Sequence, residues 1–230
     1  MEVNENNSIV DLILGLPLFQ GITREQLKLL VERFPFHFLK YSADEPIVHD
    51  GEPCRQVKFI LTGAVDVITP LPASDIVVSH RLKAPDVLLA DRLFGLDICY
   101  HGEVSAGGDC SIMQLEKKDF FAMLQSSEVV LLNLLNMLSF RAQQPSIYLR
   151  DIDTMGVEQR LATLVSTTTT RQSTDIVVAG SRMALATLLG SSRAQQHEAL
   201  ARLSNKGVIS VDGNEIAVNN RQALLNYLKK

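Results

Sequence analysis

Tryptophan is absent, aromatic residues make up 6% of the 230 positions, and only three cysteines occur, Cys54, Cys99 and Cys110. Three scattered thiols cannot build a disulfide framework, and their spacing fits no zinc or iron–sulfur pattern. They read as ordinary reduced thiols, which suits a reducing cytoplasm. No apolar run approaches the roughly 18 residues that a membrane span needs. The opening MEVNENNSIV has neither a basic stretch nor a long apolar one, so no export leader is expected and the expected location is the cytoplasm, with no membrane partner. Histidines are equally sparse: His37, His49, His80 and His101 each stand alone, with no His-x-His pair. This weighs against a metal-dependent β-barrel enzyme of cupin type with an appended helical domain, because such a site needs histidines and a carboxylate close together on neighbouring strands. The chain is not expected to be an enzyme.

Basic charge is thin overall, with a net charge of −4, but it is unevenly spread. Residues 1–150 carry 13 basic and 19 acidic side chains, and residues 151–230 carry 9 and 7. An acidic first part and a mildly basic second part suggest different tasks, although so small an excess leaves the local pattern to identify a nucleic-acid partner.

What is present is regular. Residues 8–33 read as two helices broken at Pro17, the second capped by Thr23 with Gln26 in the capping-box position. Short β-branched runs follow, VKFIL (57–61), AVDVI (64–68), DIVVSH (75–80) and CSIMQL (110–115), punctuated by glycines and prolines, as in a sandwich or barrel. KKDFFAML begins a short helix. SSEVVLLNLLNMLSFRAQQ begins a long one with two apolar stripes, Leu131, Leu135, Leu138, Ala142 and Val130, Leu134, Met137. Two apolar faces call for two partners: a β-domain and a second subunit would satisfy them, as would burial on both sides inside one monomer. Leu131, Leu134, Leu135 and Leu138 are the expected dimer contacts. Pro145 should kink or end this helix. GVEQRLATLV (156–165) is again helical, and the polar, β-branched STTTTRQST (166–174) reads as a loop. The expected division is a β-domain with N-terminal helices (1–125), a long helix (126–150) and a C-terminal domain (151–230), in the α+β fold class.

Residues 181–218 carry the strongest signal. Ser181 can cap RMALATLL, Gly190 ends it, Ser192 caps RAQQHEALARLSNK, and Gly207 closes that. Two helices joined by a tight glycine turn form a helix-turn-helix. Asp212-Gly213-Asn214 between β-branched runs then marks a hairpin, which makes the motif winged. In such a unit the second helix enters the major groove of double-stranded DNA, where its first residues meet base edges. Arg193 suits guanine, Gln195 and Gln196 suit adenine, and Glu198 can accept from cytosine or position an arginine. Ser192 opens this helix, and Ser181 and Arg182 are placed for phosphate.

The order of parts resembles the Crp/Fnr transcription regulators over about residues 8–218. LPLFQGITREQLKLL (16–30) looks like their lead-in, and VHDGEPCRQVKFILTGAVDVI (48–68) like their glycine-marked strands. SAGGDCSIMQLEKKDFFAML (105–124) resembles the end of their roll, and LLGSSRAQQHEALARLSNKGVISVDG (188–213) their helix-turn-helix and wing. The resemblance implies an antiparallel, jelly-roll-like sensor β-roll with N-terminal helices (1–125), a dimerisation helix (126–150) and a winged helix-turn-helix DNA-binding domain (151–230), forming a homodimer on a palindromic operator, with RNA polymerase as a candidate partner. It also locates departures. Members that bind cyclic AMP carry a Gly-Glu-Leu turn for the ribose and an Arg-Ser-Ala triplet for the phosphate. Leu89, Ala90 and Asp91 stand at the first position, and Tyr100, His101 and Gly102 at the second. Without the arginine a buried phosphate loses its charge-assisted pair, so no cyclic nucleotide is expected. Oxygen-sensing members hold an iron–sulfur cluster with cysteines near the N-terminus, and this chain has none before Cys54. The effector therefore has no assigned identity. Leu88, Leu89, Leu93, Phe94 and Tyr100 could line an apolar pocket, with Leu89, Ala90, Tyr100 and His101 as candidate contacts, or the roll could be filled by its own side chains. A haem- or redox-sensing regulator is the alternative within this fold, with His101, Met113 and Cys99 as weak ligand candidates. In the recognition helix Ser192 and Arg193 match the family. Ala194 replaces its Glu, Glu198 replaces a second Arg, and Gln196 stands where an apolar core residue is usual.

Overall fold

The computed structural model describes residues 3–88, 90–149 and 154–229. Its elements form two compact units, one of residues 1–66 with 82–139, the other of residues 67–81 with 140–230.

The first unit opens with α1 (Val3–Leu14), a 3-10 turn (Pro17–Phe19) and α2 (Arg24–Arg33). The expected capping box is present: Gln26 N donates to Thr23 Oγ1, and Thr23 N donates to Gln26 Oε1. Its strands are β1 (His37–Tyr41), β2 (Pro46–Val48), β3 (Gln56–Thr62), the start of β4 (Ala64–Pro70), β6 (Asp86–Leu88), β7 (Glu103–Ala106) and β8 (Cys110–Glu116). The order β1-β8-β3-β6 is antiparallel throughout, and β2 pairs with β7. Alternation gives the four-stranded sheet two faces. One carries Phe59, whose ring lies 5.6 Å from that of Phe19. The other carries Lys58 and Gln114, paired across the strands.

Two helices follow, α3 (Lys117–Ser126) and α4 (Glu128–Leu149). In α4 the stripe Val130 and Leu134 is buried, while Leu131, Leu132 and Leu135 are exposed. Burying one such side chain contributes about 1.5–3 kcal/mol, so one face is settled within the chain and the other is not. Asn133 adds a polar tie, its Nδ2 donating to the carbonyls of Leu18 and Gln20. The helix does not end at Pro145, one of the two outcomes expected there, and runs on to Leu149. Proline deletes one N–H rung, and the remaining rungs keep the backbone helical.

The second unit contains β5 (Val77–Lys83, entering as far as Arg81), α5 (Val157–Thr168), β9 (Thr174–Ala179), α6 (Arg182–Leu188), α7 (Arg193–Asn205), β10 (Ile209–Asp212), β11 (Glu215–Val218) and α8 (Arg221–Leu225). The threonine run is helical to Thr168, not a loop from residue 166. The hydroxyls of Thr167, Thr168 and Thr169 donate to carbonyls four residues back, so the polar side chains support the last turn. The hairpin at residues 67–81 packs with this unit: β5 pairs antiparallel with β9, and Ile76 and Val78 enter the core of Leu161, Val165, Ile176 and Leu203. No single helix among the described residues is long and apolar enough to cross a membrane.

Candidate nucleic-acid interface

α6 and α7 are set by local chemistry. Ser181 Oγ accepts the Ala184 N–H at 3.2 Å and caps α6. Ser192 and Gln195 form a reciprocal capping box at α7: Gln195 N donates to Ser192 Oγ at 3.2 Å, and Ser192 N to Gln195 Oε1 at 2.9 Å. Between the helices Gly190 has φ +54°, and a Cβ there would meet Arg160 Nη1 at 2.5 Å. The positive φ favours glycine, and a side chain there would also displace the Arg160 guanidinium. Arg160, on α5, donates to the carbonyls of Leu189 and Gly190 at 2.8 and 3.0 Å, fixing the turn from outside it. Nothing in the local sequence marks Arg160 for this role, because its partners lie 29 and 30 residues away.

Ala199, Leu200 and Leu203 bury the inner face of α7. Ser192, Arg193, Gln195 and Glu198 lie on its exposed face. Arg193 carries no hydrogen bond or ion pair with the described residues, which leaves its guanidinium available. Gln195 is engaged in its cap and must exchange that bond to reach a base. Glu198 lies 3.8 Å from Arg202, which makes its shorter bonds, at 2.8 Å, to Glu158. Ser181 N donates to Asp75 Oδ2 at 3.1 Å, and Arg182 donates to the carbonyl of Gly213 at the wing turn. Both residues placed for phosphate are thus already tied within the unit. The wing is β10 and β11, in register from Ile209↔Val218 to Asp212↔Glu215 around Gly213 and Asn214.

Gln196 corrects the reading of the sequence. It is 3% exposed and cannot present its amide to a base edge. Position 196 lies next to Ala199 and Leu200 on the helix period, so the face chosen by the core takes it inward. Its Nε2 is buried with no hydrogen-bond partner among the described residues. Such a group costs about 1–3 kcal/mol. Gln196→Leu is therefore expected to raise the thermal midpoint without altering the DNA sequence preferred, as read by calorimetry and by selection from random duplexes.

In the first unit, the residues proposed as effector contacts are engaged with their neighbours, and Asp97 ties the turn that carries Arg92 to His101. Leu89 lies outside the described residues. Ala90 is buried in a short turn, and His101 is exposed, with Nε2 2.6 Å from Asp97 Oδ2. Arg92 is held by the same carboxylate at 2.8 Å. Tyr100 is 1% exposed, and its hydroxyl takes the Cys54 thiol at 3.0 Å. Beside them Lys58 Nζ donates to Gln56 Oε1 at 3.0 Å and to Gln114 Oε1 at 3.4 Å, and Gln56 Nε2 donates to Glu116 at 2.6 Å. Burial pulls the Lys58 ammonium below its usual range and pushes the Cys54 thiol and Tyr100 phenol up. These side chains fill the polar face of the sheet with one another. Of the haem-ligand candidates, Met113 is fully buried across from Phe59, Cys99 is half-buried and His101 stands in solvent. Among the described residues no group of three or more His, Cys, Asp or Glu could hold a metal ion. Cys54 and Cys110 are buried with thiols raised by burial, whereas Cys99 is partly open. A thiol reagent at neutral pH should then label Cys99 alone in the native protein. Peptide mass spectrometry showing Cys54 labelled as fast would contradict a closed interior.

Residues 38–127 match the family model of the cyclic nucleotide-binding domain, and residues 159–227 that of the Crp-like helix-turn-helix domain. No curated protein sequence matches the chain. Among solved structures it is similar to the catabolite activator protein of Thermus thermophilus, at 19% identity over 93% of this chain and 98% of that one, with a TM-score of 0.53. It is also similar to the sensor domain of the transcriptional regulator DNR from Pseudomonas aeruginosa, at 18% identity over 63% of this chain and 94% of that one, with a TM-score of 0.51. These likenesses concern the fold, and they agree with the antiparallel strands, long helix and winged helix-turn-helix described above. With both domain models matched in that order, the chain belongs to the Crp/Fnr family of DNA-binding transcription regulators.

Proposed function

We propose that the protein works in the cytoplasm as a homodimer that reads a palindromic DNA operator through α7 and answers to an effector other than a cyclic nucleotide. The observation that carries the DNA reading is the first turn of α7: Arg193 is exposed, with no hydrogen bond or ion pair to the described residues, on a helix whose other face is locked in a core and whose entry turn is clamped by Arg160. Base readout needs a free donor fork on a rigid support. Ser192 and Gln195 flank it, and Glu198 lies one turn further on. Selection of duplexes from a random pool should return two inverted half-sites with centres about 34 Å apart, one turn of B-DNA. Recovery of no preferred sequence at low salt would reject the proposal.

The effector half of the reading rests on chemistry at the positions that resemble the nucleotide site. Tyr100 is spent on Cys54, His101 and Arg92 on Asp97, and Ala90 offers no acid. A cyclic phosphate brought there would lose water without gaining an arginine. Calorimetric titration with cyclic AMP and cyclic GMP is expected to show no saturable heat. A micromolar site for either would overturn this half and leave the DNA half intact.

A further inference from the structure

The hairpin at residues 67–81 sits in the DNA-reading unit, although the chain on either side of it, up to Asp66 and from Leu82, belongs to the other unit. Its outgoing strand β5 adds to the edge of β9, in register Val77↔Ala179, Val78↔Val178, Ser79↔Val177 and Arg81↔Thr174. Ile76 and Val78 are 1% and 0% exposed in the core around Ile176, Val178 and Leu203. His80 is buried too, its Nδ1 3.1 Å from Ser173 Oγ beside the start of β9. The fit is close. Gly180 has φ +151°, and a Cβ there would meet Ile76 Cγ1 at 2.9 Å and Ile76 Cα at 3.0 Å. At the tip, exposed Asp75 accepts the Ser181 N–H at 3.1 Å, immediately before Arg182.

We propose that residues 71–81 form a detachable strap that docks on the DNA-reading unit as an added sheet strand and, through Asp75, holds it in a low-affinity form. The proposal rests on the DNA reading above, because the docked strap matters only if the Ser181–Arg182 corner faces the DNA backbone. There the Asp75 carboxylate repels phosphate and occupies a backbone donor. Strand addition suits a regulated contact: main-chain bonds to the β9 edge supply affinity, and alternate side chains in pockets supply register. Both ends of the strap continue into strands of the sensor half, so a rearrangement there reaches the reading unit along the chain. The docked strap is the state described here, and the released state is the one that binds DNA tightly.

Two variants of the full-length protein test this. Asp75→Asn keeps an acceptor oxygen for Ser181 and removes the charge. It should tighten binding to the selected duplex by about fivefold per half-site, the worth of one unit charge at about 4 Å in water, and the gain should shrink as salt rises. Ile76→Glu puts a charge at the docked face. By hydrogen exchange it should free the β9 amides that face β5 while α6 and α7 stay protected, and it should also tighten DNA binding. If Asp75→Asn leaves affinity unchanged or weaker while Arg193→Ala still weakens it, the strap is wrong and the DNA reading stands. If Ile76→Glu removes protection throughout α5, α6 and α7, the hairpin is a permanent strand and the detachable strap is overturned. If neither wild type nor variants prefer any duplex, the DNA reading falls and the strap with it.

Discussion

Leu135→Asp is expected to convert the protein to a monomer at micromolar concentration and to lower affinity for its operator by about a thousandfold or more, the usual gap between specific and non-specific binding. The reason is the division of α4 into two faces. Val130 and Leu134 are buried at 0% and 3% in their own chain, so Leu134, expected from sequence at the dimer seam, is already spent. Leu131 and Leu135 remain 37% and 50% exposed, with Leu138 half-buried on the same stripe. On a parallel helix pair around a twofold axis these side chains meet their own copies. A carboxylate at position 135 then faces another carboxylate in an apolar seam, and an uncompensated buried charge costs about 3–5 kcal/mol. Because Leu135 is half in solvent within one protomer, the substitution should leave the fold of that protomer intact. Light scattering reads the mass and circular dichroism reads the fold. A wild type that is monomeric at this concentration with DNA affinity intact would remove the dimer from the reading. Leu134→Asp offers the contrast: it should unfold the chain rather than split a dimer.

Arg193→Ala is expected to cost about 1–3 kcal/mol in each half-site and to relax the preference at one base pair there. Guanidinium presents two parallel donors that match guanine O6 and N7, and no other exposed residue in the first turn of α7 offers such a fork. The loss should fall on the dissociation rate and on sequence preference more than on the salt slope, because a base edge carries no counterion to release. Arg182→Ala should behave differently. Arg182 donates to the Gly213 carbonyl, so its removal loosens the wing and weakens all sequences alike. Selection from a random pool with wild type and both variants separates these outcomes. If Arg193→Ala recovers the same palindrome at the same affinity, α7 is not the reader.

The parts of this molecule legible from sequence are those whose physics is local. The capping boxes Thr23–Gln26 and Ser192–Gln195, the Ser181 cap and the turn at Gly213–Asn214 each close a ring within three or four residues, so residue type and spacing specify them. The two-faced pattern of α4 was legible for the same reason, as were the strands β3 and β8 with their β-branched runs. The threonine run misled because its propensity disfavours helix while its hydroxyls can bond back to the preceding turn, and only the formed turn offers those carbonyls. Other features were decided by partners far along the chain. Whether position 134 or 135 of α4 is free depends on which face the rest of the first unit covers. Gln196 turns inward because the core of α7 claims its face, whatever its polarity. Tyr100 is buried with its hydroxyl taken by Cys54, 46 residues earlier, a pairing that no local spacing marks. The partner of β9 was equally hidden: its edge accepts β5 from a hairpin about a hundred residues before it, because backbone donors and acceptors are the same in every strand and only packing of Ile76 and Val78 into that core selects one. Sequence alone determined the caps, the helix periods and the wing turn, whose order carries the resemblance to the family; tertiary structure alone decided which of those side chains remain free to act, through the burial of the rest.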